Sequence, residues 1–428
     1  MNEEFSIQEV RGLEILDSRG NPTLRTCVET AISKGCADAP AGASKGTSEA
    51  LELRDGGKRL SGKGTRKAVF TVENIIAPAI AGLDVRDQQK IDSTLIKLDG
   101  TEQKSRLGSN TMLTVSLAVA RAAAGGLGLP LYRYLGGISP SYMPVPLLNI
   151  INGGAHAGNK LEFQEFIVAP IGADNFTDAL WVGVEIYHAL KEVIVGRFGK
   201  QYAAVGDEGG FAPPIEDPRE ALNLLVKAVE SAGYALETDV VLAVDVAASQ
   251  LYDSEKAVYV FMGREWSTES LVEYYTGLAD EYPIRLIEDP LWESDFKGFA
   301  ELQRTLARRR VIVVGDDLYT TNVSRLMQGV LNESTRGVIV KPNQVGTLTE
   351  TMEFVELAKR KEQKIVVSHR SGDTEDSFIA DLSIAVQSDF IKTGAPARGE
   401  RTCKYNRLLE IDGELRGTIR FRGRHAFD

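Results

Sequence analysis

The chain has 428 residues, of which 43% are hydrophobic and 25% are charged, as in an ordinary globular protein with room for two or three domains. Its formal net charge of −11 argues against nucleic acid or an anionic membrane as the main partner. No run of residues approaches the roughly 18 uncharged apolar residues that a membrane-spanning helix requires.

The cysteines and the first residues indicate a compartment. The number of cysteines is odd (Cys27, Cys36 and Cys403) and none lies in a C-x-x-C motif, so the sequence predicts neither a disulfide framework nor a zinc site. The first ten residues, MNEEFSIQEV, are acidic and lack the apolar segment of a secretory signal. We therefore expect a reduced, cytoplasmic protein.

The N-terminal third of the chain predicts a mixture of strands and helices. Alternating apolar positions in residues 6–30 flank the turn-forming sequence DSRGNP, a pattern typical of a β-hairpin. Residues 71–81 have the pattern of a helix. Residues 110–126 are apolar nearly all round and end in two glycines, which predicts a buried helix.

A break in the pattern near Gly137 predicts an N-terminal α+β domain of residues 1–137 and a larger domain of residues 138–428. Eight short apolar runs in the larger domain are strand candidates, and their span matches the roughly 250 residues of an eight-stranded β/α barrel. The first two runs are too close for a crossover helix, so we expect them to pair antiparallel. The runs are 145–151, 164–170, 240–245, 284–288, 311–316, 337–341, 364–369 and 389–392.

Four neighbouring runs end in an ionisable residue. Asp245, Glu288 and Asp316 end three of them, and Lys341 ends the fourth. A single Asp at such a position is often only a helix cap, but the carboxyl ends of barrel strands meet at one edge, where such folds place their chemistry. An all-oxygen set with no nearby His or Cys favours Mg²⁺ over zinc. We therefore predict one site that holds a magnesium ion.

Lys341 is the candidate general base of this site. Burial and a neighbouring cation both favour the neutral amine, so we expect the pKa of Lys341 to fall towards the working pH. An amine in that state can remove a proton from an acidic C–H group. The alternative interpretation is a salt bridge between Lys341 and one of the carboxylates.

Other strand ends and loops supply further candidates. Glu208, in the glycine-rich loop 206–210, is a candidate acid, and Arg370 beside Ser371 suits recognition of a phosphate. The small-residue loop 42–46 is either a flexible connector or a lid over a ligand. Together with the metal and the base, these groups suit a reaction in which a proton is removed from the carbon next to a carboxylate and a leaving group departs. The remaining candidates are His156, Gln164, Glu165, His369 and Lys392.

These motifs closely resemble those of the enolase family (phosphopyruvate hydratase) along nearly the whole chain. They include LDSRGNPT, NIINGGAHAGNKLEFQEF, GDEGGFAP, IEDP, GDDL, KPNQVGT, SHRSGDTED and IKTGAP. The resemblance implies a magnesium-dependent hydro-lyase that interconverts 2-phosphoglycerate and phosphoenolpyruvate in glycolysis. It also implies a TIM-type barrel with an antiparallel second strand, and a homodimer or an octamer.

The resemblance gives each candidate residue a role. It implies that Lys341 removes the C2 proton, and that Glu208, backed by Glu165, assists departure of the C3 hydroxyl. It implies two magnesium ions in each site, the first held by the three strand-end carboxylates and the second by Ser44. Substrate contacts are implied for His156, Gln164, His369, Arg370, Ser371 and Lys392.

The loop departs from the family pattern at one position. The usual S-G-A-S-T-G is here Ala-Gly-Ala-Ser-Lys-Gly at residues 41–46, so Lys45 adds a positive charge beside the expected second metal and the phosphate. Lys45 thus becomes a further substrate-binding candidate. It also motivates an alternative, a paralogue acting on a modified substrate, as in carboxyphosphoenolpyruvate formation. A third hypothesis is a role as a scaffold or binding protein.

Overall fold

The computed structural model describes residues 3–43, 46–138 and 140–428. The chain begins with an antiparallel sheet in the order β1-β2-β3. The predicted hairpin is confirmed, because β1 and β2 pair from Glu9↔Glu29 to Leu16↔Pro22 around the expected turn. The strands are β1 (Glu9–Leu16), β2 (Pro22–Glu29) and β3 (Lys34–Asp38), and the sequence did not predict the short β3.

Helices cover one face of this sheet. The predicted helix at 71–81 begins earlier, at Arg66, and includes a π-helical turn, Val72–Ile76. The predicted buried helix is confirmed as α4, which packs closely on β3 because Gly35 has no side chain: a Cβ there would lie 2.1 Å from the carbonyl oxygen of Ala118. The helices are α1 (Arg66–Thr71), α2 (Ala77–Ile80), α3 (Gln88–Asp99), α4 (Ser109–Gly126) and α5 (Leu131–Gly136).

The predicted eight-stranded barrel is present and closed. The strand that begins at Glu165 pairs antiparallel with both of its neighbours, as expected, and the other barrel pairs are parallel. Around the barrel the strands are β5 (Val145–Asn152), β6 (Glu165–Pro170), β7 (Val240–Asp245), β11 (Ile284–Glu288), β12 (Ile312–Gly315), β13 (Gly337–Val340), β14 (Lys364–Ser368) and β15 (Phe390–Lys392).

An outer ring of helices surrounds the barrel, and the long interval after β6 contains two of them. The helices are α6 (Phe176–Phe198), α7 (Pro218–Ser231), α8 (Thr268–Glu281), α9 (Phe296–Leu306), α10 (Val323–Asn332), α11 (Leu348–Arg360), α12 (Phe378–Ala385) and α13 (Gly399–Glu414). Short strands outside the barrel form two small sheets: β4 (Tyr142–Met143) with β16 (Arg420–Phe421), and β8 (Tyr252–Asp253), β9 (Val258–Phe261) and β10 (Arg264–Trp266).

The apolar residues of the barrel form two separate cores. Alternate strand residues, such as Val145 and Leu147, point into the barrel. They pack together with Phe427, at the end of the barrel where the parallel strands begin. The residues between them, such as Leu148 and Ile150, join the larger core under the helices. This alternation follows from the two-residue period of a strand, and it explains why the barrel runs are apolar throughout.

One expectation about the cysteines was wrong. Cys27 and Cys36 are directly opposed on β2 and β3 and form a disulfide bond. Spacing in the sequence did not indicate the pair, because only the register of the two strands brings these residues together. Cys403 is a free thiol.

Within the described ranges, no helix combines the length and the apolar character needed to cross a membrane.

Candidate active site

Every candidate residue that the structure describes on a barrel strand lies at one edge of the barrel. Asp245, Glu288 and Lys392 are the last residues of their strands, whereas Asp316 and Lys341 directly follow theirs. Glu165 is the first residue of β6, but β6 runs antiparallel, so Glu165 lies opposite Asp245 at the same edge. The reversed strand therefore adds a carboxylate that a uniformly parallel barrel would place at the other end.

Lys392 lies at the centre of three carboxylates. Its Nζ is 2.7 Å from Glu288, 3.0 Å from Asp245 and 3.2 Å from Glu165. Burial alone would lower the pKa of Lys392, but the three carboxylates outweigh burial and raise the pKa well above its ordinary value. In the structure, Lys392 thus faces the carboxylates predicted to bind metal.

The expected fall in the pKa of Lys341 is not found. Burial favours the neutral amine, but Lys341 forms a buried salt bridge with Asp316, and the net effect raises its pKa. The salt bridge is the alternative that the sequence left open. The predicted fall depended on a cation beside the amine, whereas the group that dominates here is an anion.

The carboxylates at this edge fit a hard cation. Glu288 is fully buried, and its Oε1 has no hydrogen-bond partner among the described residues. Burial together with Asp245 raises the pKa of Glu288 to about 8. Such crowding of acidic oxygens is costly unless a cation or protons neutralise it. A second cluster lies beside it: Asp289, Asp316 and Asp317 place one oxygen each within 4.8 Å of one another. Asp289 and Asp317 were not predicted, although both adjoin predicted ligands in the sequence.

A further acidic cluster lies across the same cavity. Glu165, Glu208 and His156 each offer an atom within 4.8 Å of the others, and all three are buried. Burial and the charge of Glu208 raise the pKa of Glu165 well above normal. Burial also opposes ionisation of Glu208, but the neighbouring imidazoles and Arg401 outweigh it and lower the pKa of Glu208. Of the two carboxyl groups, Glu165 is therefore the one whose environment favours protonation.

Asn149 and His369 both approach Glu208 of this cluster. Asn149 donates to Glu208 Oε2 over 2.8 Å, and the His369 Nε2 lies 3.5 Å from that oxygen. Burial lowers the pKa of His369 to about 4, so its imidazole is neutral. Asn149 was not predicted as a site residue, although a polar residue inside the apolar run VPLLNII could have indicated it. Gln164 reaches the same cavity with a buried Nε2 for which the described part of the chain offers no hydrogen-bond partner.

Arg370 and Ser371, the predicted phosphate-binding pair, face the N-terminal domain. Arg370 donates two hydrogen bonds to Glu49, of 2.9 and 3.1 Å, and the backbone N–H of Ala43 donates to Ser371 Oγ over 2.6 Å. The loop before Ser44 is thus attached to the barrel beside the predicted phosphate site. Ser44 and Lys45 lie outside the described residues. Nothing in the local sequence distinguished Glu49 from other acidic residues.

Most of these groups line one cavity in the described part of the chain, whereas Glu288, Asn149 and Glu49 lie behind its lining. The cavity brings together the base candidate Lys341, the acid candidates Glu165 and Glu208, and the cations Arg370 and Lys392. Anionic substrate groups can therefore bind next to a proton acceptor and a proton donor.

Comparison with known proteins agrees with this arrangement. The chain matches the family models "Enolase, N-terminal domain" over residues 7–135 and "Enolase, C-terminal TIM barrel domain" over residues 140–428. It is 51% identical over 416 residues to an enolase of Saccharolobus solfataricus, with 97% of each chain covered. It is 51% identical over 425 residues to an enolase of Pyrococcus furiosus, with 99% of this chain and 98% of the relative covered. The fold, the cavity and these full-length matches together show that the chain belongs to the enolase family.

Proposed function

We propose that the chain catalyses the reversible dehydration of 2-phosphoglycerate to phosphoenolpyruvate, the hydro-lyase reaction of glycolysis. The observation that carries the proposal is the placement of Lys341 and the Glu165–Glu208 pair around one cavity that also contains two buried cations. A base, an acid and binding groups for two anionic ends are what elimination of water from a phosphorylated hydroxy acid requires.

In the forward direction, Lys341 takes the proton from C2. The electron pair of that C–H bond becomes the second bond between C2 and C3, and the C3–oxygen bond breaks. The leaving hydroxyl receives a proton from the Glu165–Glu208 pair and departs as water, so atoms and charge balance. Arg370 and Ser371 bind the phosphate, and His156, Gln164 and His369 surround the reacting carbons. Lys392 binds the carboxylate.

Asp245, Glu288 and Asp316 are the groups that would hold a first Mg²⁺, and Ser44 would hold a second. The buried Glu288 Oε1 with no partner supports a hard cation there. When bound, such cations supply electrostatic stabilisation of the charge that develops on the substrate carboxylate. Asp316 would then interact with both the cation and Lys341. Its salt bridge with the amine would be weaker, which favours the neutral form of Lys341.

The organisation of the chain follows the same proposal. We assign an N-terminal domain to residues 1–137 and a catalytic domain to residues 138–428, which the limits of the two family models support. The exposed Leu13 and Leu16 of β1 are apolar surface of the kind that interfaces bury, which supports a homodimer, with an octamer as the alternative. The proposed location is cytoplasmic, a compartment in which disulfides are rare outside hyperthermophiles.

The test is formation of phosphoenolpyruvate from 2-phosphoglycerate with Mg²⁺. The wild type is expected to turn over at roughly 1–10³ s⁻¹. Lys341→Ala should lose at least about 10³-fold in kcat, because the proton acceptor is gone. Lys160→Ala, which removes an exposed lysine, should behave as wild type. Normal turnover by Lys341→Ala would contradict the assigned base.

The two alternatives raised by the sequence are not favoured. Identity of 51% across nearly the whole chain supports an ordinary enolase over a paralogue with a modified substrate or a pure scaffold. Comparing the wild type with Lys45→Thr tests the remaining role of the loop lysine. If the wild type is slow and Lys45→Thr is faster, the result would instead support a loop adapted to a different substrate.

A further inference from the structure

Arg401 is a buried cation outside the proposed catalytic set. It lies in the first turn of α13 and has no exposed side-chain surface. Gly394 makes room for it, because a Cβ on that glycine would lie 2.9 Å from Arg401 Cδ. Arg401 thus buries its positive charge, which costs free energy unless the charge has good hydrogen-bonding partners.

The guanidinium of Arg401 contacts two segments that carry active-site residues, 369–371 and the loop of Asp207 and Glu208. Its Nη1 donates to the carbonyl oxygen of Arg370 over 2.6 Å, and its Nη2 donates to the carbonyl oxygens of Asp207 and Ser371. Asp207 directly precedes Glu208. Nη1 also lies 3.7 Å from Asp373 Oδ2 and contacts Nδ1 of the His369 imidazole.

That last contact determines which nitrogen of His369 carries the proton. A guanidinium has only N–H donors and does not lose its proton in proteins, so Nδ1 must be the acceptor. A neutral imidazole with an accepting Nδ1 carries its hydrogen on Nε2. The Nε2 atom is the one that faces Glu208, at 3.5 Å from Oε2.

The separation of 3.5 Å is at the limit of a hydrogen bond, so an oxygen placed beside both groups can receive the Nε2 hydrogen. In the proposed reaction, that oxygen is the hydroxyl that leaves from C3. With the other tautomer, Nε2 would present a lone pair to Glu208, which repels an ionised carboxylate and offers no donor to the hydroxyl.

We propose that Arg401 is a positioning residue that fixes His369 as the Nε2–H tautomer, so that His369 donates a hydrogen bond to the departing hydroxyl beside Glu208. The inference rests on the proposed function. Its direct readout is nevertheless the state of one imidazole, which does not depend on turnover.

The experiment is ¹⁵N NMR of the protein labelled at histidine, with Mg²⁺ present, at pH 7. The chain contains only four histidines, so the imidazole region is simple, and the His369→Asn variant identifies the signals of His369. The wild type should show His369 with a protonated Nε2 and an unprotonated Nδ1. The opposite tautomer, or a doubly protonated ring, would overturn the proposal whether or not Arg401→Lys folds.

The variant is Arg401→Lys, which keeps the positive charge and removes the planar guanidinium group. We expect His369 to become a mixture of tautomers, and kcat for 2-phosphoglycerate to fall roughly 10²-fold, as for a misplaced catalytic group. Arg407→Lys is the matched control, because Arg407 lies two turns later in α13 and pairs with Asp381 instead. It should leave the His369 spectrum unchanged and kcat within about twofold of wild type.

The outcomes separate the possible roles. If Arg401→Lys loses activity while the His369 signals stay as in the wild type, Arg401 is merely structural and the proposal fails. If the tautomers mix and kcat falls, the proposal holds. If the wild type does not dehydrate 2-phosphoglycerate at all, the proposed function fails, whatever the tautomer of His369.

Discussion

Glu49 and Arg370 form a buried, two-pronged ion pair between the N-terminal part of the chain and the barrel. The two hydrogen bonds measure 2.9 and 3.1 Å, and both residues are at most 5% exposed. Glu49 Oε1 also accepts the N–H of Gly46, at the end of the loop that contains Ser44 and Lys45. One carboxylate therefore connects the loop to the proposed phosphate-binding arginine.

Replacing Glu49 by Gln should weaken both connections. We expect the KM for 2-phosphoglycerate to rise roughly tenfold and the free energy of unfolding to fall by about 1–3 kcal/mol, because Arg370 loses its ionic partner inside the protein. Steady-state kinetics and urea unfolding measure the two effects. Glu356→Gln, which breaks an exposed pair with Arg360, is the control and should change neither. An unchanged KM in Glu49→Gln would show that the pair does not position Arg370.

Removing a proposed metal ligand should affect Mg²⁺ before it affects the fold. In Glu288→Gln the side chain keeps its size but loses its charge, so we expect Mg²⁺ affinity to fall by at least about 10²-fold. Isothermal titration with Mg²⁺ alone measures this without relying on turnover. Glu353→Gln, on the outer helix α11, serves as the control. Equal affinity in Glu288→Gln and wild type would remove Glu288 from the ligand set.

The Cys27–Cys36 disulfide should stabilise the N-terminal sheet. It closes a loop with a sequence separation of 9, for which the loss of chain entropy in the unfolded state is worth roughly 2–3 kcal/mol. Thermal unfolding with and without a reductant, and of the Cys27→Ser/Cys36→Ser double variant, measures the difference. Cys403→Ser keeps the disulfide and should therefore respond to the reductant as the wild type does, whereas the double variant should not respond. If reductant has no effect on the unfolding temperature of the wild type, the cysteines are not paired in solution.

Glu14 should contribute to the loss of stability in acid. Its hydrogen bonds with Arg59 lower its pKa to about 2, from an ordinary value of 4.5. A lowered folded-state pKa means that this stabilisation is present above about pH 4.5 and is lost as the pH falls towards 2. Because the pair is partly exposed, we expect about 1 kcal/mol after solvent screening. Urea unfolding at pH 7 and pH 3 should therefore show a smaller acid-induced loss in Glu14→Gln than in wild type. A loss of equal size in both would contradict this role.

Periodicity and strand ends in the sequence were enough to predict the barrel and most of its site. Each barrel run is apolar on both faces because it packs inwards and outwards. Four neighbouring runs end in a charged residue, so Asp245, Glu288, Asp316 and Lys341 could be grouped from their positions in the chain alone. The short interval between β5 and β6 was enough to predict the reversed strand, which places Glu165 at the same edge.

Only the tertiary structure decided the pairings across distant segments. The partners Glu49–Arg370, Arg401–His369 and Asn149–Glu208 are separated by 321, 32 and 59 positions, and no local pattern encodes such contacts. The Cys27–Cys36 disulfide required the register of β2 and β3. The pKa of Lys341 likewise depends on how close Asp316 lies, and the distances among buried charges follow from packing, which the order of residues in the chain does not give.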